Sequence, residues 1–84
     1  MTSTRVDLTA TLNQLAGTKN LGALAAANRY AGTTNLGMIA ALNVKAGNGN
    51  DPKNWRDWTA VCNQIAGTTN LEALQALQIK AGQT

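Results

Sequence analysis

Side chains able to do chemistry are few in this chain. Histidine is absent, which removes the commonest general base and the commonest metal ligand. One cysteine, Cys62, and four acids, Asp7, Asp51, Asp57 and Glu72, make no metal-ligand spacing. No two acids stand three or four residues apart, so no helix face carries a carboxylate pair for acid–base work. The glycines are dispersed, with no phosphate-cradling loop and its lysine. The parts an active site needs are missing, so the expectation is a protein that is not an enzyme, with no cofactor and no metal.

What remains are groups suited to contact. Trp55 lies beside Lys53 and Arg56. It reads either as a partly exposed interface anchor or as a Trp that closes an open end of the fold. Tyr30 is a second interface candidate. Trp58 falls on a core stripe. Seven Lys and Arg against four acids give a net charge of +3, with no basic run. Scattered cations of this kind are the ordinary solvated surface; a nucleic-acid binder would gather them on one face. A lone Cys62 reads as a small buried apolar residue, and one thiol forms no internal disulfide. The start of the chain lacks a signal-peptide apolar stretch, and no run approaches membrane-spanning length. Folding in a reducing cytoplasm is the expectation.

The elements that position these residues are written in a repeat. Ala-Gly pairs begin at 16, 31, 46, 66 and 81, at spacings of 15, 15, 20 and 15. Each glycine supplies the left-handed residue that ends a helix. The Thr or Asn that follows reads as the cap of the next helix. Together with apolar stripes these signals predict five helices, over about 5–16, 19–31, 34–46, 52–66 and 69–81. The stripes are Leu8, Leu12, Leu15; Leu21, Leu24, Ala27, Ala31; Leu36, Ile39, Leu42, Ala46; Trp58, Cys62, Ile65; and Leu71, Leu74, Leu77. Thr4 with Asp7, and Thr69 with Glu72, read as capping boxes. Asp51 before Pro52 reads as a cap opening the fourth helix. Gly22 and Gly37 fall in first turns, where they permit close helix approach.

A longer repeat overlies the short one. A shift of 50 aligns residues 7–32 with 57–82, matching Asp7 with Asp57, Asn13-Gln14 with Asn63-Gln64, and Ala23-Leu24 with Ala73-Leu74. The fold class is therefore all-α: a compact bundle of about five short helices with internal duplication of a helical hairpin, helices 1–2 and 4–5. The chain is one domain, organised as a hairpin over 7–32, a bridging helix over 33–47, a linker over 48–51 and the second hairpin over 52–84. Phe is absent and much of the apolar content is Ala, so the core must be thin, with Leu and Ile as anchors. Asn13, Asn28, Asn43 and Asn63 each precede an Ala-Gly pair by three residues, and Gln78 takes that place in the last copy. These amides read either as latches to the following turn or as a ladder facing a ligand.

The letters Leu12-Asn13-Gln14-Leu15-Ala16-Gly17-Thr18, Asn20-Leu21, Ala26-Ala27-Asn28, Tyr30-Ala31-Gly32-Thr33-Thr34 and Ala41-Leu42-Asn43-Val44-Lys45-Ala46-Gly47 resemble a short helical module of structural proteins in tailed bacteriophages of actinobacteria. There the module occurs as small free-standing proteins and as appended segments of head or tail proteins. The likeness runs from residue 8 to 82. Phage copies often carry Gly where Asn20, Asn35 and Asn70 stand, and both residue types tolerate positive φ. The chain departs from the module in its insertion with Trp55 and Trp58. The resemblance carries no catalytic residues. It implies a virion structural protein, a capsid decoration or minor tail subunit, present in many copies or as a homo-oligomer on a larger capsid or tail protein. Ordered termini and apolar contacts to that partner follow. Partner-interface candidates are Trp55, Tyr30, Arg56 and Lys53. A small nucleic-acid-binding helical protein and a self-associating helical adaptor are the alternatives.

Overall fold

Glycine decides where the helices stop. In the structure, a computed structural model that describes residues 7–82, Gly17, Gly32 and Gly67 sit at φ of 75°, 73° and 73° as left-handed C-caps. The next N–H then folds back onto the helix: Thr18 reaches the Asn13 carbonyl at 2.9 Å and Thr68 that of Asn63 at 3.0 Å. This is the closing pattern that satisfies the last free carbonyls. The helices are α1 (Leu8–Ala16), α2 (Ala23–Ala31), α3 (Met38–Lys45), α4 (Trp58–Ala66) and α5 (Ala73–Lys80), with a 3-10 turn at Pro52–Asn54. The described residues contain no strand.

The helix starts differ from the sequence expectation, each by several residues. Thr18, Thr33 and Thr69 cap nothing; the α1–α2, α2–α3 and α4–α5 connectors are six residues each, outside any helix. The N-caps are Asp7, Gly22, Gly37, Asp57 and Glu72. Asp7 Oδ1 accepts from the Ala10 N–H at 3.0 Å and Asp57 Oδ1 from Ala60 at 2.8 Å. Glu72 makes no side-chain cap bond, so the Thr69–Glu72 capping box does not form. Thr4 of the other box, and the ordered termini expected above, lie outside the described residues. Asp51 does cap, accepting from Lys53 N–H at 3.0 Å, but what it opens is the 3-10 turn rather than α4. Gly22 and Gly37 precede their helices, and a Cβ on either would meet nothing within 4 Å. Close helix approach is therefore not their role.

The recurring asparagines explain the delayed starts. Asn13 Nδ2 donates to the carbonyls of Thr9 and Leu21, both at 2.8 Å. Its Oδ1 accepts the Leu21 N–H at 2.9 Å and the Thr18 hydroxyl at 2.8 Å. Two donors and two acceptor sites are all an amide has, so the side chain is saturated. Asn28 does the same with Leu24, Leu36 and Thr33. Asn63 does it with Thr59, Leu71 and Thr68. Each amide holds both the N–H and the C=O of one residue in the connector, as a neighbouring strand would. The held residue, Leu21, Leu36 or Leu71, then packs its side chain on the core. A helix cannot begin before that residue is released, which is why the caps fall directly after it. Asn35 and Asn70, just before the held Leu, take φ of 61° and 65°. Asn20, in the matching place, does not take positive φ.

Packing then closes the chain on itself. α1 packs on α2, α2 on α3, α3 on α4 and α4 on α5, and α5 returns to α1; α4–α5 and α1–α2 are the most extensive pairings. The Cα radius of gyration is 12.0 Å, close to the ~12 Å expected of a compact chain of this length. The extents are 41 × 28 × 14 Å. A slab 14 Å thick has room for about two helix layers at 8–10 Å spacing, so small residues must line the middle. Ala26, Ala27, Ala41 and Ala76 are fully buried there beside Leu12, Leu42, Leu77, Val61 and Cys62. Leu is an anchor, as expected. Of the isoleucines only Ile65, half-buried, packs against the core; Ile39 and Ile79 are exposed.

Candidate interaction surface

Helix faces in this fold are set by the latch. In α1 to α4 the innermost residues are the latch Asn and the two before it: Thr11-Leu12-Asn13, Ala26-Ala27-Asn28, Ala41-Leu42-Asn43 and Val61-Cys62-Asn63. The residue four before the Asn stands in the first turn of its helix and is exposed in α1 to α4. It is Thr9 in α1, Leu24 in α2, Ile39 in α3 and Thr59 in α4; Leu74, four before Gln78 in α5, is half-buried. Leu24 is 50% exposed and Ile39 43%. Both had been assigned to core stripes by spacing, and the structure puts them on the surface. Three consecutive buried positions per helix displace the expected one-sided stripe.

Two grooves flank this position, and they are the same groove built twice. One is an open cleft of about 630 Å³ lined by Leu21, Leu24, Ala25, Asn28, Arg29 and the Thr33–Asn35 connector. The other, about 410 Å³, lies 35 residues on and is lined by Arg56, Thr59, Ala60, Asn63, Gln64 and the 68–70 connector, with Asp57. Latch, threonines and left-handed Asn match place for place. The exchanges are Leu21 for Arg56, Leu24 for Thr59 and Arg29 for Gln64. The α2 groove thus has an apolar floor, one cation and no acid; the α4 groove has no large apolar side chain.

The sequence-derived site residues do not converge. Trp55 is half-buried in the long α3–α4 connector, and its indole N–H donates to the Gly49 carbonyl at 3.0 Å. Lys53 is exposed, and its backbone N–H serves the Asp51 cap. Arg56 has an exposed side chain, while its backbone N–H and C=O are held by Asn43 at 2.8 and 3.1 Å. Tyr30 lies on α2, packed against the core. Its ring carries the Lys45 ammonium 4.6 Å from the centroid, a cation–π contact. Its hydroxyl is buried without a partner among the described residues, and that burial pushes the phenol above its usual pKa. Arg29, Lys45 and Lys80 each occupy the last turn of their helix, where a cation complements the helix dipole.

Cys62 is fully buried, and desolvation pushes its thiol up to about 12. A thiol so placed is unreactive at neutral pH, since the thiolate is the nucleophile. Among the described residues no group of three or more His, Cys, Asp or Glu could hold a metal ion. No helix among them is long and apolar enough to cross a membrane. The exposed apolar residues on α2 and α3, which sequence reasoning missed, carried a signal after all. They share one place in the 15-residue repeat with Thr9 and Thr59, so two sister copies put a polar residue there. No protein-family model matches the chain, nor does any curated protein or solved structure.

Proposed function

We propose that this chain is a non-enzymatic structural protein of a tailed-bacteriophage virion, docking on a larger capsid or tail subunit through its α2–α3 side. It is made in the host cytoplasm and resides in the particle. The observation that carries the docking part is the pair Leu24 and Ile39, large apolar side chains exposed at one repeat position on two helices that pack together. Leu24 also lines the α2 groove, and large exposed apolar patches mark protein contact. The virion part rests on the resemblance of the 8–82 repeat to phage structural modules. The spread of the cations over separate elements gives the nucleic-acid reading no equivalent support.

The test is co-sedimentation of the tagged chain with purified phage particles of an actinobacterial host, alongside Leu24→Asp and Ile39→Asp. Wild type should pellet with particles in many copies, and both variants should remain in the supernatant while keeping the wild-type helical spectrum. Surface changes of this kind alter stability by no more than about 0.5 kcal/mol, so loss of pelleting would report docking. A chain that ignores particles but binds duplex DNA with a steep salt dependence would overturn the proposal.

A further inference from the structure

The latch at the α3–α4 junction differs from the others in one atom group. Thr18, Thr33 and Thr68 give a hydroxyl proton to their latch amides. In the third copy the residue is Asn48, whose Nδ2 donates to Asn43 Oδ1 at 2.8 Å. That Nδ2 also donates to Gln64 Oε1 at 2.9 Å, and Gln64 Nε2 returns a bond to Asn48 Oδ1 at 3.1 Å. Gln64 further reaches the Ala46 carbonyl at 3.4 Å. Asn48 therefore ties its own latch to α4 across the junction.

The next residue is Gly49, and this is the one Asn-Gly pair in the chain. Gly49 is exposed at φ 79°, a Cβ there would meet nothing within 4 Å, and its N–H makes no hydrogen bond among the described residues. The other latch amides are followed by Gln14, Arg29, Val44 and Gln64, whose side chains crowd the approach to the amide carbon.

We propose that Asn48 is a site of spontaneous deamidation and that its conversion unfastens the α3–α4 junction. On losing its proton, the Gly49 amide nitrogen attacks Asn48 Cγ. The Cγ–Nδ2 bond breaks, ammonia leaves, and a five-membered succinimide remains. Water opens that ring at either carbonyl and leaves aspartate or isoaspartate. The sum is one water consumed and one ammonia released, with no oxidant or co-reactant. The product is a carboxylate with no proton to donate, set against Asn43 Oδ1 and Gln64 Oε1, both acceptors. Two donated bonds are lost and like partial charges face each other. The bonds that hold the amide restrain the reaction while the junction is closed, so the rate follows how often it opens.

The experiment ages the full chain at 37 °C in neutral and mildly alkaline buffer, then maps peptides by mass spectrometry and records melting. Asn48 should convert first among the ten asparagines, faster at the higher pH. The converted fraction should melt roughly 4–8 °C lower, the shift for about one lost interaction in a domain this size. Asn48→Thr, which installs the residue of the sister copies, should neither convert nor lose melting temperature on ageing. Asn48→Asp should reproduce the lowered melting, and the aged wild-type chain supplies the same readout where that variant fails to fold. Conversion spread evenly over the asparagines, or a converted chain that melts with the fresh one, would overturn the proposal.

Discussion

The α2–α3 and α3–α4 junctions join equivalent helices by connectors of different length. In the first, Asn28 holds Leu36, eight residues on. In the second, Asn43 holds Arg56, thirteen residues on. Five inserted residues change the count and leave the bonds alone: each amide still grips the N–H and C=O of one residue, and α4 still starts one residue after the next cap. The surplus chain is looped out and tied to itself by the Asp51 cap and the Trp55–Gly49 bond. Helix placement in this fold is thus fixed by a side chain, and connector length is nearly free. Loop closure explains the tolerance, because lengthening a flexible connector costs only about (3/2)RT ln of the length ratio.

The comparison breaks most sharply at the latch. Asn43→Ala and Asn63→Ala should each destabilise by about 3 kcal/mol, since each leaves a held N–H and C=O without partners. Urea denaturation checks this. If the short-junction variant collapsed while the long-junction one were unaffected, the insertion would have replaced the latch rather than bypassed it.

A smaller effect reports whether α4, entered by the long connector, is seated as firmly as the other helices. Its Cys62 ionises near pH 9.0 when unfolded and near pH 12 when folded. Above pH 9 the unfolded chain therefore holds fewer protons than the folded one. The contribution is complete below about pH 9 and drains as pH rises toward 12, by at most about 1.4 kcal/mol per pH unit. Urea midpoints at pH 8, 9.5 and 10.5 should fall accordingly, and Cys62→Ala should flatten that fall. A thiol that reacts with a disulfide reagent at pH 8 in the folded chain would show α4 to be loosely held.

The smallest effect sharpens the comparison. Deleting Gly49 to Pro52 together with Trp55 leaves Gly47-Asn48-Lys53-Asn54-Arg56-Asp57, the pattern of Gly17 to Gly22. The shortened chain should keep its helical circular dichroism, with stability within about 1 kcal/mol of wild type. The entropy gained, about 0.5 kcal/mol, roughly offsets the lost Trp55 contacts. Unfolding on this deletion would mean that the insertion is a structural element in its own right.

Some of this could be read from the letters and some could not. Gly17, Gly32 and Gly67 ended helices where expected because positive φ is a local property of one residue. The latch reading of Asn13, Asn28, Asn43 and Asn63 was available from their fixed distance to those glycines, and the geometry chooses it over a ligand ladder by filling all four hydrogen-bonding sites of each amide. Helix starts were misread because Thr33-Thr34-Asn35 and Thr68-Thr69-Asn70 resemble caps locally, whereas the bonds from Asn28 to Leu36 and from Asn63 to Leu71, eight positions on, delay the next helix until those residues are passed. Leu24 and Ile39 were placed in the core for a related reason: they fit a helical stripe as well as Leu12 does.

From the amino acids alone follow the number of helices, their C-termini, the duplication and the place of the insertion, since each depends on backbone preferences of single residues or on plain recurrence. The tertiary structure decided which arc of each helix is buried. Every helix here touches two others, α1 with α5 included, so the buried arc is set by where both neighbours lie. A periodicity of 3.6 marks that an apolar face exists. It carries no information on whether Leu24 points at a neighbour or away from both, and that orientation separates a core leucine from an exposed one.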